Sequence, residues 1–217
     1  MTFHSSLPVI QQYGLALHTS SAQLGLSMMN LTGEERTQTW DLDRALSTYL
    51  HEYLRNFLAP QTWSELAFVA VAKGPGSFTS SRMGVVTART LAQQLDIPLF
   101  AISTLAAFAW SKQSLLVTNL PIAVDMPANR GLIYGGIYQN SSDNAEAFIY
   151  RPDQLMAPEA WAEILDQLPK PWEKFSVPSH LGYTVDSLLY MANSMYQQGK
   201  RPHWQDAVPF YGKQSYS

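Results

Sequence analysis

The sequence predicts an α/β fold, and three observations carry that prediction. Short apolar, partly β-branched runs alternate with longer segments whose apolar residues recur at helical spacing. The stretch from Phe68 to Ala88 (FVAVAKGPGSFTSSRMGVVTA) passes from one pattern to the other across a single glycine-proline turn. The composition is that of a packed chain: of 217 residues, 46% are hydrophobic and 14% charged, far from the disordered class. A chain of this length forms one domain or two small ones and can bury a sizeable core without staples.

The elements follow in order. Residues 1–11 read as a loose leader. Tyr13–His18 (YGLALH) and Gln23–Met29 read as two strands of a hairpin, with Thr19–Ala22 as the turn. Thr39–Leu58 reads as an amphipathic helix, because Leu42, Leu46, Tyr49, Leu50, Tyr53, Leu54 and Phe57 fall on one wide face. Asp41 and Asp43 sit near its start, where negative charge is favoured, and read as helix-end charge rather than as an acid–base pair. Trp63–Leu66 leads into the strand Phe68–Ala72, apolar throughout as suits a strand covered on both faces. Gly74, Pro75 and Gly76 break it, and Ser77 or Thr79 can cap the helix that follows. In that helix Met83, Val85, Val86, Ala88, Leu91, Ala92 and Leu95 recur at roughly helical spacing, with Pro98 beyond its end. Leu99–Ile102 is a short strand, and Ser103 caps a helix to about Trp110. The pattern to this point is β-β-α-β-α-β-α.

Gln113–Asn119 is polar enough for a linker or a strand edge, so the chain divides into 1–111 and 112–217. Pro121–Val124, Leu132–Tyr138 and Ala147–Tyr150 read as strands, with Asp125–Gly131 as the loop between the first two. Pro158–Leu168 is a helix begun by proline and stopped by Pro169 and Pro171. Val177–Leu181 reads as a short strand. Thr184–Gln198 is a helix with Val185, Leu188, Leu189, Ala192 and Met195 inward and Gly199 as its C-terminal cap. No internal repeat is visible in the sequence.

The glycine turn has two readings. It is an anion site at a helix N-terminus, or a close strand-to-helix corner with no ligand. Two named motifs fail there. Gly74 and Gly76 are one residue apart with no following Gly-Lys-Ser/Thr, so there is no P-loop. Thr79 stands where a dinucleotide fingerprint needs its third glycine. The five histidines (His4, His18, His51, His180, His203) show no paired helical metal spacing. There is no G-x-S-x-G elbow, and the absence of cysteine excludes disulfides and thiolate chemistry. These readings leave no catalytic and no metal-ligating set. A net charge of −3 without a Lys/Arg cluster argues against a chain that grips nucleic acid alone. The first residues lack a basic region followed by an apolar run, and no apolar run approaches the roughly 18 residues of a membrane span, so a cytoplasmic protein is expected.

The string KGPGSFTSSRMGV, followed by Leu91-Ala92 and IPLFAISTLAAFA, closely resembles the signature of the TsaB (YeaZ-type) family, whose members serve threonylcarbamoyladenosine synthesis on tRNA. It matches that signature at Gly74, Pro75, Gly76, Ser77, Phe78, Thr79, Arg82 and Gly84, and again at Pro98, Ser103, Thr104 and Leu105. It departs at Ser80, where the family usually has glycine, and at His18, where the family's first strand carries aspartate. The family's I-D-A-R-x-G-E-V-Y segment is matched at Asp125, Arg130, Gly131 and Tyr134, with a short insertion, and Pro209–Tyr211 resembles its closing segment.

The resemblance implies two ribonuclease-H-like (actin-like ATPase) lobes, with mixed sheets flanked by helices. It implies a non-catalytic scaffold that pairs with a TsaD-type catalytic subunit, with a TsaE-type ATPase also required. Such a chain reaches tRNA only through the complex and forms a homodimer when alone. It raises the helices at 41–58 and 78–95 as the pairing surface, through Leu42, Leu46, Tyr49, Leu50, Tyr53, Arg82, Val85, Ala88 and Arg89. It implies a cleft in which Asp125 and Arg130 face Gly74, Pro75, Gly76, Ser77 and Thr79; no cofactor is required, and weak nucleotide binding is left open. From the residues alone, Asp125 and Arg130 equally form an ion pair that tightens a hairpin. The alternative to the scaffold is an active actin-like ATPase or kinase using that turn and Asp125 on phosphates, and His18 in place of aspartate argues against it. A protease reading lacks both nucleophile and metal set.

Overall fold

The computed structural model describes residues 12–30, 32–112, 120–139, 148–210 and 212. The expected leader and the 113–119 linker lie outside these residues, as does Ala147. The elements are β1 (Tyr13–His18), β2 (Gln23–Asn30), β3 (Glu35–Asp41), α1 (Leu46–Leu58), β4 (Leu66–Ala72), α2 (Phe78–Leu95), β5 (Leu99–Ile102) and α3 (Thr104–Lys112). They continue with β6 (Pro121–Pro127), β7 (Ile133–Gln139), β8 (Ile149–Met156), α4 (Pro158–Asp166), β9 (Glu173–Ser176) and α5 (Val185–Gln197).

Two mixed sheets result. The first is five-stranded in the order β3-β2-β1-β4-β5, and the second is four-stranded in the order β8-β7-β6-β9. In each, three strands meander antiparallel and the next strand returns parallel to the first, as β4 does beside β1 and β9 beside β6. The second sheet thus repeats the topology of the first without its last strand, as two ribonuclease-H-like lobes require. Pairing order belongs to the backbone, so the repeat leaves no mark in the sequence.

Strand alternation sorts the side chains into layers. Leu15, Leu17, Val69 and Val71 pack with Leu46, Leu50, Leu54, Val85 and Ala88 under α1 and α2. Ala16, Phe68, Ala70 and Ala72 point to the opposite face, in one cluster with Leu105, Phe108, Ile122, Val124, Tyr138, Leu188 and Leu189. That cluster lies between the sheets, where α5 covers β1, β2 and β4 while α3 covers β6 and β7. Each sheet's inner face is therefore covered by a helix from the other half of the chain. Beyond the second sheet, Ala123, Ile137, Trp161 and Leu165 pack under α4.

Four expectations are corrected. Thr39–Asp41 belong to β3 rather than to a helix that starts at Thr39; α1 begins at Leu46. Gln23 pairs with Asp41 and Leu24 with Trp40 along the sheet edge, and Trp40 lies 4.8 Å from Tyr53 ring to ring, so strand pairing and an aromatic contact outweigh the helical periodicity. Asp43 lies in a short 3-10 turn ahead of α1. The strand read as Ala147–Tyr150 runs on to Met156, and it tolerates Pro152 because β8 is an edge. Val177–Leu181 is not a strand: the polar segment Glu173–Ser176 pairs with β6 instead, while Val177 and Leu181 are buried as loop residues. Asp125 lies within β6 rather than in a loop. Other expectations hold. The Ser103 hydroxyl accepts the Ala106 N–H at 3.1 Å, and Gly199 closes α5 with φ +84° while the Lys200 N–H reaches the Met195 carbonyl at 3.0 Å.

Candidate functional site

The glycine turn is built against the β1–β2 turn. Gly74 has φ +101° and Gly76 φ +157°, with Pro75 on a cis peptide bond between them. The Ser20 carbonyl accepts the Ser77 N–H at 2.8 Å, and the Thr19 hydroxyl donates to the Ser80 carbonyl at 2.8 Å. Ser77 opens α2, but its hydroxyl donates to the Ser80 hydroxyl at 3.0 Å instead of capping a helix N–H. These contacts make the turn a packed strand-to-helix corner, and Thr79 is exposed beside them.

Asp125 and Arg130 are not brought together. Strand alternation turns Asp125 under α4, where Ser176 Oγ donates to it at 2.7 Å and Trp161 Nε1 at 3.1 Å, and where Lys174 pairs with it at 2.8 Å. Burial raises its pKa, but the bonds from Lys174, Ser176 and Trp161 outweigh this and hold the carboxyl below its usual range. Arg130 is exposed at the tip of the β6–β7 turn in a left-handed conformation (φ 59°, ψ 32°). Neither the cleft-facing role expected of Asp125 nor the Asp125–Arg130 ion pair matches this placement.

The outer surface of α1 and α2 corrects the expected pairing residues. Leu46, Leu50, Val85 and Ala88 are at most 1% exposed and belong to the core, so no partner can touch them in the folded chain. Leu42 and Tyr53 are half-buried, Tyr53 beneath Trp40, and Arg89 lies over the Trp204 ring. Tyr49 (44% exposed) and Arg82 do face outward. The most exposed apolar side chains of α2 are Phe78 and Val86, each 60% exposed, with the Arg82 guanidinium over the Phe78 ring. Between the two helices runs an open groove of about 650 Å³, lined by His51 and Arg55 from α1, Met83, Val86 and Thr90 from α2, and Trp63. The apolar stripe of each helix marked the core face. The missed signal is the small-residue series Ser81, Gly84, Ala88 and Ala92, which marks where α2 lies against the sheet: a Cβ on Gly84 would stand 2.1 Å from Thr19 Oγ1.

His18 closes β1 fully buried, and neither ring nitrogen has a hydrogen-bond partner. Burial pushes its pKa down to about 3, so the ring is neutral. Sequence reasoning also missed a polar cluster between the sheets: Ser103 Oγ and Tyr138 OH each donate to Asp153, one to each carboxylate oxygen. Among the described residues, no three His, Asp or Glu side chains gather as a metal site, and no helix is long and apolar enough to cross a membrane.

A family model described as TsaD, tRNA N6-adenosine threonylcarbamoyltransferase, matches residues 44–189. The tRNA threonylcarbamoyladenosine biosynthesis protein TsaB of Buchnera aphidicola subsp. Schizaphis graminum is 39% identical over 162 residues, covering 69% of this chain and 68% of the relative. TsaB of Bacillus subtilis is 39% identical over 114 residues, covering 52% of this chain and 46% of the relative, so the chain spans about half of that relative's length. YeaZ from Pseudomonas aeruginosa superimposes with a TM-score of 0.73 at 21% identity, covering 92% of this chain and 99% of that one, a likeness of fold.

Proposed function

Because the chain belongs to the TsaB family, we propose that it is a non-catalytic scaffold subunit in threonylcarbamoyladenosine modification of tRNA, which pairs with a TsaD-type subunit through the outer face of α1 and α2. The observation that carries the reading is the open groove between these helices, bordered by the outward Val86. Exposed apolar side chains rimmed by Arg82, Arg55 and Glu52 have the character of an interface centre with a polar rim. The scaffold acts in the cytoplasm, needs no cofactor of its own, works beside a TsaE-type ATPase, and meets tRNA only within the complex. Alone, the same face joins two copies of the chain.

The test is size exclusion coupled to light scattering, on the protein alone and mixed with the TsaD-type protein of the same organism. The expected result is a mixed peak of one-to-one mass that restores threonylcarbamoylation of tRNA by the partner. Two separate peaks at all concentrations, with no gain of activity on mixing, would remove the scaffold assignment.

A further inference from the structure

We propose that the open edge of β3 binds an extended basic segment of a partner protein, which adds to the five-stranded sheet as a further strand. This edge shares no residue with the lining of the α1–α2 groove, so the inference stands independently of the pairing role. β3 is the outermost strand of its sheet and pairs with β2 in an unbroken register, from Gln23 opposite Asp41 to Met29 opposite Glu35. In an antiparallel pair, residues bonded across the pair alternate with residues whose N–H and C=O turn outward. The Asn30 N–H donates to the Glu34 carbonyl at 2.9 Å at one end, and the Leu42 N–H to the Ala22 carbonyl at 3.3 Å at the other. Arg36, Gln38 and Trp40 therefore bond to β2. Glu35, Thr37, Thr39 and Asp41 present their N–H and C=O groups on the open edge, and among the described residues no strand covers them.

Such an edge is a template for another strand, and proteins guard against this with short edges, proline, bulges or charge. β3 runs for 7 residues, contains no proline and shows no register shift. Its guard is charge, and on the α5 side of the strand that charge has one sign. Glu35 and Asp41 lie on this side with Thr37 between them, and Asp186 of α5 accepts the Thr37 hydroxyl. Tyr190 OH donates to Glu35, and Gln23 Nε2 donates to Asp41 at 2.8 Å. All these donors are neutral. Among the described residues no cation pairs with Glu35, Asp41 or Asp186, so their negative charge is not offset. Arg36 turns to the other face, where it donates to the Phe57 and Leu58 carbonyls at the end of α1.

The carboxylates select the occupant. Opposite charges facing each other across a strand pair stabilise it, and like charges directly opposite destabilise it. A second copy of the chain is disfavoured, because the antiparallel register that uses every outward group sets Glu35 against Asp41 at both ends. An acidic segment is rejected for the same reason. A strand with Lys or Arg at alternate positions places cations beside Glu35, Asp186 and Asp41 while its backbone meets the outward N–H and C=O groups. Main-chain bonds then supply affinity and the alternate side chains supply selection. At roughly 3.4 Å per residue the edge is about 20 Å long, so a segment as long as β3 covers it.

The test titrates two peptides of that length into the full chain labelled with 15N. One has lysine at its odd positions and threonine between; the other has glutamate in place of lysine. The expected result is a saturable shift of the Glu35, Thr37, Thr39 and Asp41 amides with the lysine peptide and none with the glutamate peptide. Hydrogen exchange at the Thr37 and Thr39 amides should slow in the complex, and Thr39→Pro should lose about tenfold or more in affinity. Proline there removes only an outward N–H, which an edge strand tolerates. Equal binding of the two peptides would overturn the proposal, as would no saturable shift, shifts without slower exchange, or unchanged affinity in a folded Thr39→Pro protein. Shifts of the same amides with protein concentration alone would make a second copy the occupant and overturn it too. The two peptides and the exchange measurement on the unaltered chain decide the matter even where the variant fails to fold.

Discussion

The carbonyl oxygen of Ser20 accepts the amide N–H of Ser77 at 2.8 Å, which ties the β1–β2 turn to the residue that opens α2. The same oxygen would stand 2.2 Å from a Cβ at Gly76, so the close approach exists because that residue has no side chain. The obstacle is backbone and cannot swing aside. Gly76→Ala should therefore cost about 2–4 kcal/mol, through both overpacking and an unfavourable φ. At Gly74 the nearest atom to a built Cβ is 3.5 Å away, so Gly74→Ala meets only its φ of +101° and should cost about 1–2 kcal/mol. Urea midpoints with unchanged slopes would rank the two. A Gly74→Ala protein as damaged as Gly76→Ala would show that backbone conformation, not the Ser20 contact, sets the requirement.

His18 predicts an acid-sensitive fold. The ring is neutral and buried, with its pKa held at about 3 against an ordinary 6.5. The unfolded chain takes up a proton on this residue near pH 6.5, and the folded chain does not until near pH 3. The stability owed to this difference is present above pH 6.5 and is lost as pH falls towards 3. At about 1.4 kcal/mol per pH unit the loss is on the order of 5 kcal/mol at the acid end. His18→Leu should flatten this limb, measured by urea unfolding from neutral pH down to about pH 4. At neutral pH the variant should be unchanged or about 1–2 kcal/mol more stable, because two unbonded nitrogens are removed from the core. Parallel pH profiles for both proteins would mean that the ring is not the titrating group.

Two neighbouring valines separate folding from pairing. Val85 is 0% exposed and Val86 60% exposed on the same turn of α2. Val86→Glu should leave stability within about 0.5 kcal/mol and weaken pairing with a TsaD-type subunit by tenfold or more, about 1.4 kcal/mol. Val85→Glu should cost about 4 kcal/mol or more, because it buries an unpaired charge. Light scattering and urea unfolding on both variants check this. Full pairing by a folded Val86→Glu protein would move the interface off this face.

The elements with strong periodicity or punctuation were legible in the sequence. The β1–β2 hairpin, β4, the Gly74–Gly76 turn, α2, the Ser103 cap and the Gly199 cap stand where Gly, Pro and apolar spacing put them. β3 and β9 were not, because an edge strand such as ERTQTWD or EKFS takes its identity from a partner distant in sequence. The pairing face was misread for a related reason. An apolar stripe says which side of a helix is buried, and Val85 and Ala88 are buried against the chain's own sheet. Asp125 was misplaced by a single structural fact: inside a strand its direction is fixed by alternation, which sends it with Ala123 towards α4. The Ser103–Asp153–Tyr138 cluster joins residues up to 50 positions apart, so no local pattern could announce it.

That cluster supplies a second pH dependence of opposite sign. Asp153 receives hydroxyl donors from Ser103 in the first lobe and Tyr138 in the second, so one carboxylate bridges the two sheets. Burial is the largest influence on it and raises its pKa above the usual carboxylate value, although the two hydroxyls and the nearby Lys73 act the other way. A carboxyl with a raised folded pKa binds its proton more readily in the folded chain than in the unfolded one. Its contribution is fully present below the unfolded value of 3.8 and is lost as pH rises through the raised folded value. Asp153→Asn removes the titration and keeps the shape, and hydroxyls can donate to or accept from an amide. The variant should therefore gain stability relative to the unaltered chain as pH rises from about 4 to 7, in urea unfolding followed side by side. With His18→Leu as the common background, the pH-dependent difference made by adding Asp153→Asn belongs to Asp153, because the lowered pKa of Asp125 is shared by both proteins. A stability difference between the unaltered chain and the Asp153→Asn variant that does not move with pH would mean that the bridge is held by geometry alone.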